Sequence, residues 1–186
     1  MSGAEEGWSG QGFQLVPFGL GAKGGRAVEG RLAREGEGLR LEVAMHDPAA
    51  TLRIPAPAPQ PRRREALWQA TCLELFLGVP GEERYREFNL SPSGDWNVYQ
   101  LDGYRRGLRP DPFWTALPGT REAEEGGVLR LTLATPLPPE LAAAPLLEAA
   151  VTAVLQSHDG PCDYWALRHP GPEPDFHHRD GFALRI

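Results

Sequence analysis

The sequence predicts an all-β protein: an antiparallel β-sandwich or jelly roll with at most one or two short helices. Apolar residues alternate with period two, most clearly at Leu73, Leu75 and Leu77 and at Leu129, Leu131 and Leu133. The chain's 22 Gly and 19 Pro are scattered as punctuation and cut it into short runs. About ten to twelve such runs with turn signals between them suit a sandwich. The 186 residues suffice for one large domain, and no internal repeat or boundary divides residues 1–186.

The elements follow in order. "FQLVPF", "AVEGRLARE" and "GLRLEVAMHD" read as the first strands, the last two as a hairpin around Arg34 to Gly38. "TLRIPAPAPQPRRRE" begins as a short strand and becomes a loop, because Pro55, Pro57, Pro59 and Pro61 forbid regular ladder pairing. The Arg62 to Arg64 run at its end reads as a solvated loop. "LWQATCLELFLGV" puts Leu73, Leu75 and Leu77 on one face and Cys72, Glu74 and Phe76 on the other. "RYREFNL" sends Arg86, Phe88 and Leu90 one way, and Tyr85, Glu87 and Asn89 the other. Ser91 to Gly94 form a tight turn, and "WNVYQLDGY" returns, with Asp95 and Asp102 tying turns down through backbone N–H groups. "VLRLTLATP" is a strand, "PPELAAA" one helical turn, and Leu146 to Leu155 a central strand buried on both faces. "CDYWALRH" and "GFALRI" complete the set. The loop "PDFHHRDGF" between them needs anchors, which predicts a buried Phe176 and fixed hydrogen bonds at Asp175 or His177.

Composition narrows the function. A formal net charge of -6 argues against a nucleic-acid surface, and no run is long and apolar enough for a membrane span. The N-terminal stretch is acidic, with no basic region leading into an apolar one, which predicts no signal peptide and a cytoplasmic location. Cys72 and Cys162 read as free thiols.

The candidate chemistry is limited. No Gly-x-Ser-x-Gly elbow supports a hydrolytic triad. His177 and His178 are adjacent and diverge on an extended segment, and the Asp residues lack calcium-loop spacing, so no metal is expected. Haem ligation through Met45 and a histidine is an alternative, although Met45 reads as core. Glu74 and Glu87 on neighbouring strands are the carboxylates that a glycosidase would use. The strongest signal is aromatic: Trp68, Trp96, Tyr99, Tyr104, Trp114, Tyr164 and Trp165 lie near polar residues. Flat rings beside carboxylate and amide groups suit a small polar ligand such as a sugar, which has apolar C–H faces and a hydroxyl rim.

The stretches "LWQATCLELFL", "YREFNLSPSGDWNVYQLDGYRRG" and "YWALRHPGPEPDFHHRDGFALRI" resemble a bacterial DOMON-like protein, a group related to the family-9 carbohydrate-binding modules. The resemblance covers Leu67 to Ile186, with "FNLSPSGDWNVY" and "PDFHHRDGF" its distinctive blocks. It implies a non-catalytic β-sandwich that binds a carbohydrate; DOMON relatives also bind haem, which keeps a haem or redox domain as the alternative, but the Met/His pair for that is not matched and no cofactor is expected. In family-9 modules two Trp rings sandwich a terminal sugar. The resemblance puts Trp68 and Trp165 at those positions and Glu74, Asn89 and Gln156 at hydroxyl-binding ones. The chain departs from the pattern at Ser157 to Gly160, "SHDG", where such modules have an acidic loop for calcium.

Overall fold

The computed structural model describes residues 8–19, 23–158 and 160–186. The acidic start of the chain and Asp159 of the "SHDG" loop lie outside the described residues.

Strands are numbered along the chain. The first seven are β1 (Gln11–Gln14), β2 (Val16–Pro17), β3 (Ala27–Glu35), β4 (Gly38–His46), β5 (Cys72–Gly78), β6 (Tyr85–Leu90) and β7 (Trp96–Leu101). There follow β8 (Arg109–Pro110), β9 (Gly119–Glu124), β10 (Val128–Pro136), β11 (Glu148–Gln156), β12 (Cys162–Ala166) and β13 (Leu184–Arg185). A single α-helical turn, α1 (Pro139–Ala142), starts behind Pro138 and Pro139, where a missing N–H is harmless. β8 and β9 do not follow from the sequence pattern. β9 is a sheet edge exposed on both faces, so its "GTREAE" run needs no apolar alternation.

Two antiparallel sheets result. One has the order β1-β3-β4-β10-β9; the other runs β2-β12-β11-β5-β6-β7-β8, with β13 added beside β11. Between them lies the main core. Leu41, Val43, Leu129, Leu131 and Leu133 enter it from the first sheet, and Leu73, Leu75, Leu77, Phe88, Val98, Val151 and Leu155 from the second. β11 is the central strand, buried along nearly its whole length. Its odd positions face the other sheet, and its even positions face outward.

The outward face of the second sheet is covered rather than bare. Phe76, Tyr85, Tyr99, Leu101, Ala150 and Phe182 form a second apolar cluster there, beneath the C-terminal segment. Phe182 is the buried anchor of that segment, at 1% exposure. Phe176, expected to be buried, is half-buried at the cluster's margin. Arg179 completes the attachment. It donates to Glu148 and to the Val79 carbonyl (2.8 Å), and it lies over Gly78, where any Cβ would collide with its guanidinium.

Two arginines do structural work that composition hides. Arg63 is not a solvated member of its run. It donates to Asn97 Oδ1 (2.8 Å) and to the carbonyls of Val98 and Asp111, and stacks over Trp96. Arg26 clamps the two sheets at one end. From the start of β3 it reaches Thr51 after β4, Ser157 after β11 (2.9 Å) and Asp163 of β12 (2.7 Å). Its side chain is almost wholly buried, and Asp47 is fixed in the same group by the Leu52 N–H (2.7 Å). Truncating a buried ion leaves its partners uncompensated. Arg26→Ala is expected to lower unfolding free energy by about 3 kcal/mol, read from the urea midpoint; a change near zero would show that the clamp is dispensable.

Candidate functional site

Register determines what the outward face presents. Thr152 of β11 pairs with Glu74 of β5, Glu74 with Asn89 of β6, and Asn89 with Asn97 of β7. Pairing partners in a sheet share a face, so these four make one polar row across the sheet. Glu87 sits in the neighbouring row, opposite Phe76 and Tyr99, diagonal to Glu74.

Part of this row floors a cleft of about 340 Å³. Glu74, Glu87 and Val154 form its base. Trp68 and Tyr164 rise at its sides, each more than a third exposed. Pro174, Phe176 and His177 come from the C-terminal loop, and Arg105 and Leu108 from the loop after β7. Trp68 is carried on the short 3-10 turn Leu67–Gln69, which packs on β5 and β6. Ala66 just before it has φ 59°, and Arg105 on the other wall has φ 51°. Left-handed backbone at non-glycine residues is strained and gathers at functional sites. The Trp68 ring meets Tyr99 edge-on at 6.0 Å, and the Tyr99 hydroxyl donates to Glu65. Tyr164 meets Phe176 in the same way, also at 6.0 Å.

The floor is electrostatically unusual. Glu74 and Glu87 are each only 4% exposed. Thr152 donates to Glu74 Oε2 (3.3 Å), and Asn89 Nδ2 donates to Glu87 Oε1 (2.8 Å). Glu87 Oε2 is buried with no partner among the described residues. Burial pushes the Glu74 carboxyl up to about 8, and repulsion from Glu87 adds to it. Burial also raises Glu87, against the Asn89 hydrogen bond and Arg105. At neutral pH the pair therefore holds a proton.

The C-terminal wall is pinned by a second network. The Tyr104 hydroxyl donates to Asp175 Oδ2 (2.5 Å), Arg105 to Asp175 Oδ1 (2.9 Å), and the His177 N–H to Asp175 Oδ1 (3.1 Å). Burial opposes the Asp175 charge, but these donors together hold its carboxyl below the ordinary range. Burial, reinforced by Arg105, pushes the His177 imidazole down to about 4, so the ring is neutral. Its Nδ1 lies 2.8 Å from the Tyr85 oxygen, which also accepts the Arg105 backbone N–H (3.3 Å). The neutral ring and the Tyr85 hydroxyl thus share one hydrogen bond, whose direction follows the imidazole tautomer. Fixed hydrogen bonds at Asp175 and His177 match the sequence expectation. Asp95 accepts a backbone N–H, but that of Arg62 in the proline-rich loop (3.0 Å) and not one of its own turn, and Asp102 is held by the Arg109 side chain.

The expected site residues divide into three groups. Trp68 and Glu74 line the cleft. Asn89 lies wholly buried behind Glu87 and positions it. Gln156 is on the same face, at the far end of β11, outside the cleft lining. Trp165 corrects the expectation. It pairs with Ala153, an inward position, so it points between the sheets and is 3% exposed. Tyr164, one residue earlier, pairs with Val154 and faces the cleft. A sequence signal for this exists: Trp165 shares its parity with Leu167, which packs on the core. Met45 is likewise in the inter-sheet core at 1% exposure and unavailable to a haem in the cleft. Among the described residues no group of His, Cys, Asp and Glu is placed to hold a metal ion, and both cysteines are free.

The β-sandwich has solved counterparts. The chain is similar to a proposed carbohydrate-binding protein from Bacteroides uniformis ATCC 8492, with TM-score 0.69 and 14% identity over 92% of this chain and 84% of that one. It is also similar to a family-9 carbohydrate-binding module from Caldicellulosiruptor kristjanssonii, solved in complex with cellotriose. There the TM-score is 0.51 and identity 10%, over 85% of this chain and 72% of that one. No protein-family model matches the sequence, and no curated protein matches it. At these identities the likeness establishes the fold.

The floor carries its own prediction. An unfolded Glu titrates near about 4.3, whereas folded Glu74 keeps its proton up to about 8. The native state binds the extra proton between these values, so this group's contribution to stability falls as pH rises through that window. Glu74→Gln removes the effect. Relative to the parent, the variant is expected to gain on the order of a few kcal/mol between pH 4 and pH 8.5 in urea denaturation. A stability difference that stays constant with pH would mean Glu74 is ionised and solvated.

Proposed function

We propose that this protein is a non-catalytic binding module for a small carbohydrate, held in the cleft on the outward face of the second sheet. The observation that carries the reading is the pairing of exposed rings with a buried carboxylate floor. Trp68 and Tyr164 offer flat apolar faces to the C–H face of a sugar ring, and Phe176 closes the side. Glu74 and Glu87 accept hydroxyl hydrogens, with Asn89 and Thr152 fixing their orientation. The volume is near the lower end of ligand pockets, about 300–1,000 Å³, which favours one or two sugar rings. Solved structures of similar fold support the reading through what they are named for: carbohydrate binding in one and a cellotriose complex in the other.

A glycosidase reading has one observation in its favour, the two neighbouring buried carboxyls of Glu74 and Glu87, both raised by burial. Catalytic carboxyls flank the scissile bond, however, and these two lie together on one sheet face at the base of the cleft. Steady turnover of aryl glycosides that Glu87→Gln abolishes would favour catalysis instead.

Titration against mono- and disaccharides, followed by tryptophan fluorescence or heat, tests the binding reading. A dissociation constant between about micromolar and millimolar is expected for a single open site. Trp68→Ala is expected to weaken binding by about tenfold or more. Trp165→Phe is expected to leave affinity within about twofold while lowering stability by about 1 kcal/mol or more, as core truncation does. Loss of binding in the Trp165 variant with Trp68→Ala silent would relocate the site.

A further inference from the structure

We propose that the cleft selects ligands bearing a cationic amine, so that among carbohydrates it takes an amino sugar in preference to a neutral one. The carbohydrate half of this statement rests on the reading above; the amine half stands on the cleft itself.

The buried floor offers acceptors. Among the described residues neither Glu74 nor Glu87 forms an ion pair, and each has one side-chain hydrogen bond, from a neutral neighbour. Glu87 lines the cleft, and its Oε2 is buried without a donor. Leaving such an acceptor unpaired is unfavourable, and the more so when it is charged. An ammonium group presents three donors and no acceptor, which is the complement of this floor. A sugar hydroxyl brings one donor and also oxygen lone pairs, for which the floor has only the one proton that the pair holds.

The cations of the cleft are occupied elsewhere. Arg105 is committed to Asp175 (2.9 Å), and the His177 ring is neutral and bonded to Tyr85. The pair holds one proton at neutral pH, and the charge that remains on the floor is therefore not neutralised by direct contact from the wall. The wall adds aromatic rings instead. Trp68, Tyr164 and Phe176 surround the floor, and the face of an aromatic ring attracts a cation. Acids beneath and rings around are the elements of an ammonium site, whereas the Trp68 and Tyr164 faces alone would serve any sugar.

The test is a calorimetric titration of the full chain with glucosamine, N-acetylglucosamine, glucose and cyclohexylamine at pH 6.5. Glucosamine is expected to bind about tenfold or more tightly than the two neutral sugars, as an added ion pair and cation–π contact imply. Cyclohexylamine, an amine-bearing ring without hydroxyls, should compete with it. Glu87→Gln keeps the side-chain volume, so it should fold; it is expected to weaken glucosamine about tenfold, to the level of the neutral sugars, and to weaken glucose less, which loses one hydroxyl acceptor but no ion pair. Circular dichroism confirms folding, and Glu74→Gln serves as the second variant. Neutral sugars binding as tightly as glucosamine would overturn the amine inference and leave the carbohydrate reading standing. Cyclohexylamine binding with no sugar binding would support the amine half and overturn the carbohydrate reading. Binding of none of the four probes would overturn both, and a preference that survives both Gln variants would overturn the role of the floor.

Discussion

The two-residue repeat of β5, β6 and β11 is the constraint on which the rest of the structure depends. These strands are covered on both faces, so every residue in them faces either the other sheet or the outward cluster and cleft. A slip of one residue in β5 would carry Glu74 into the apolar core and expel Leu73, Leu75 and Leu77. Burying an unpaired carboxylate there is far too unfavourable to tolerate. The same alternation that builds the core thus sets the acids on the outward face. Their burial follows from what lies over that face, chiefly the C-terminal segment anchored by Phe182 and Arg179.

That dependence explains which parts of the molecule were legible in the sequence. The alternation of Leu73 to Leu77 and of Leu129 to Leu133, the hairpin around Arg34 to Gly38, the helical turn and the central strand expected over Leu146 to Leu155, observed as Glu148–Gln156 with Leu146 exposed before it, all correspond to observed elements. Each is a local pattern. Placing Glu74, Glu87 and Asn89 on one face needed only parity. Trp165 shows where parity is weak evidence, because only Leu167, beyond the end of β12, shares its parity and points to the face that meets the core. Its pairing with Ala153, a long-range fact, decides that. Family resemblance favoured the larger indole over Tyr164 at the neighbouring position.

The walls were harder to read for a similar reason. Arg105, Leu108, Pro174 and His177 come from two loops distant in sequence, which meet through Tyr85, Tyr104 and Asp175. "PDFHHRDGF" signals an anchored loop, but not that Phe176 would form a wall while Phe182 provides the anchor. The Arg62 to Arg64 run teaches the converse. A charge cluster that looks solvated contains one residue, Arg63, that pins a proline-rich loop to β7.

The central claim is that a ligand binds between Trp68 and Tyr164, over the Glu74 and Glu87 floor, and not at Trp165. Indole N–H signals report this directly, since the chain has 5 Trp residues that single substitutions can assign. In a 1H–15N spectrum titrated with glucosamine, the Trp68 indole signal should shift along a saturating curve. The Trp165 and Trp114 signals, buried between the sheets, should stay fixed. A Trp68 signal that stays still throughout the titration, or one that moves no more than Trp165, would contradict a site in this cleft.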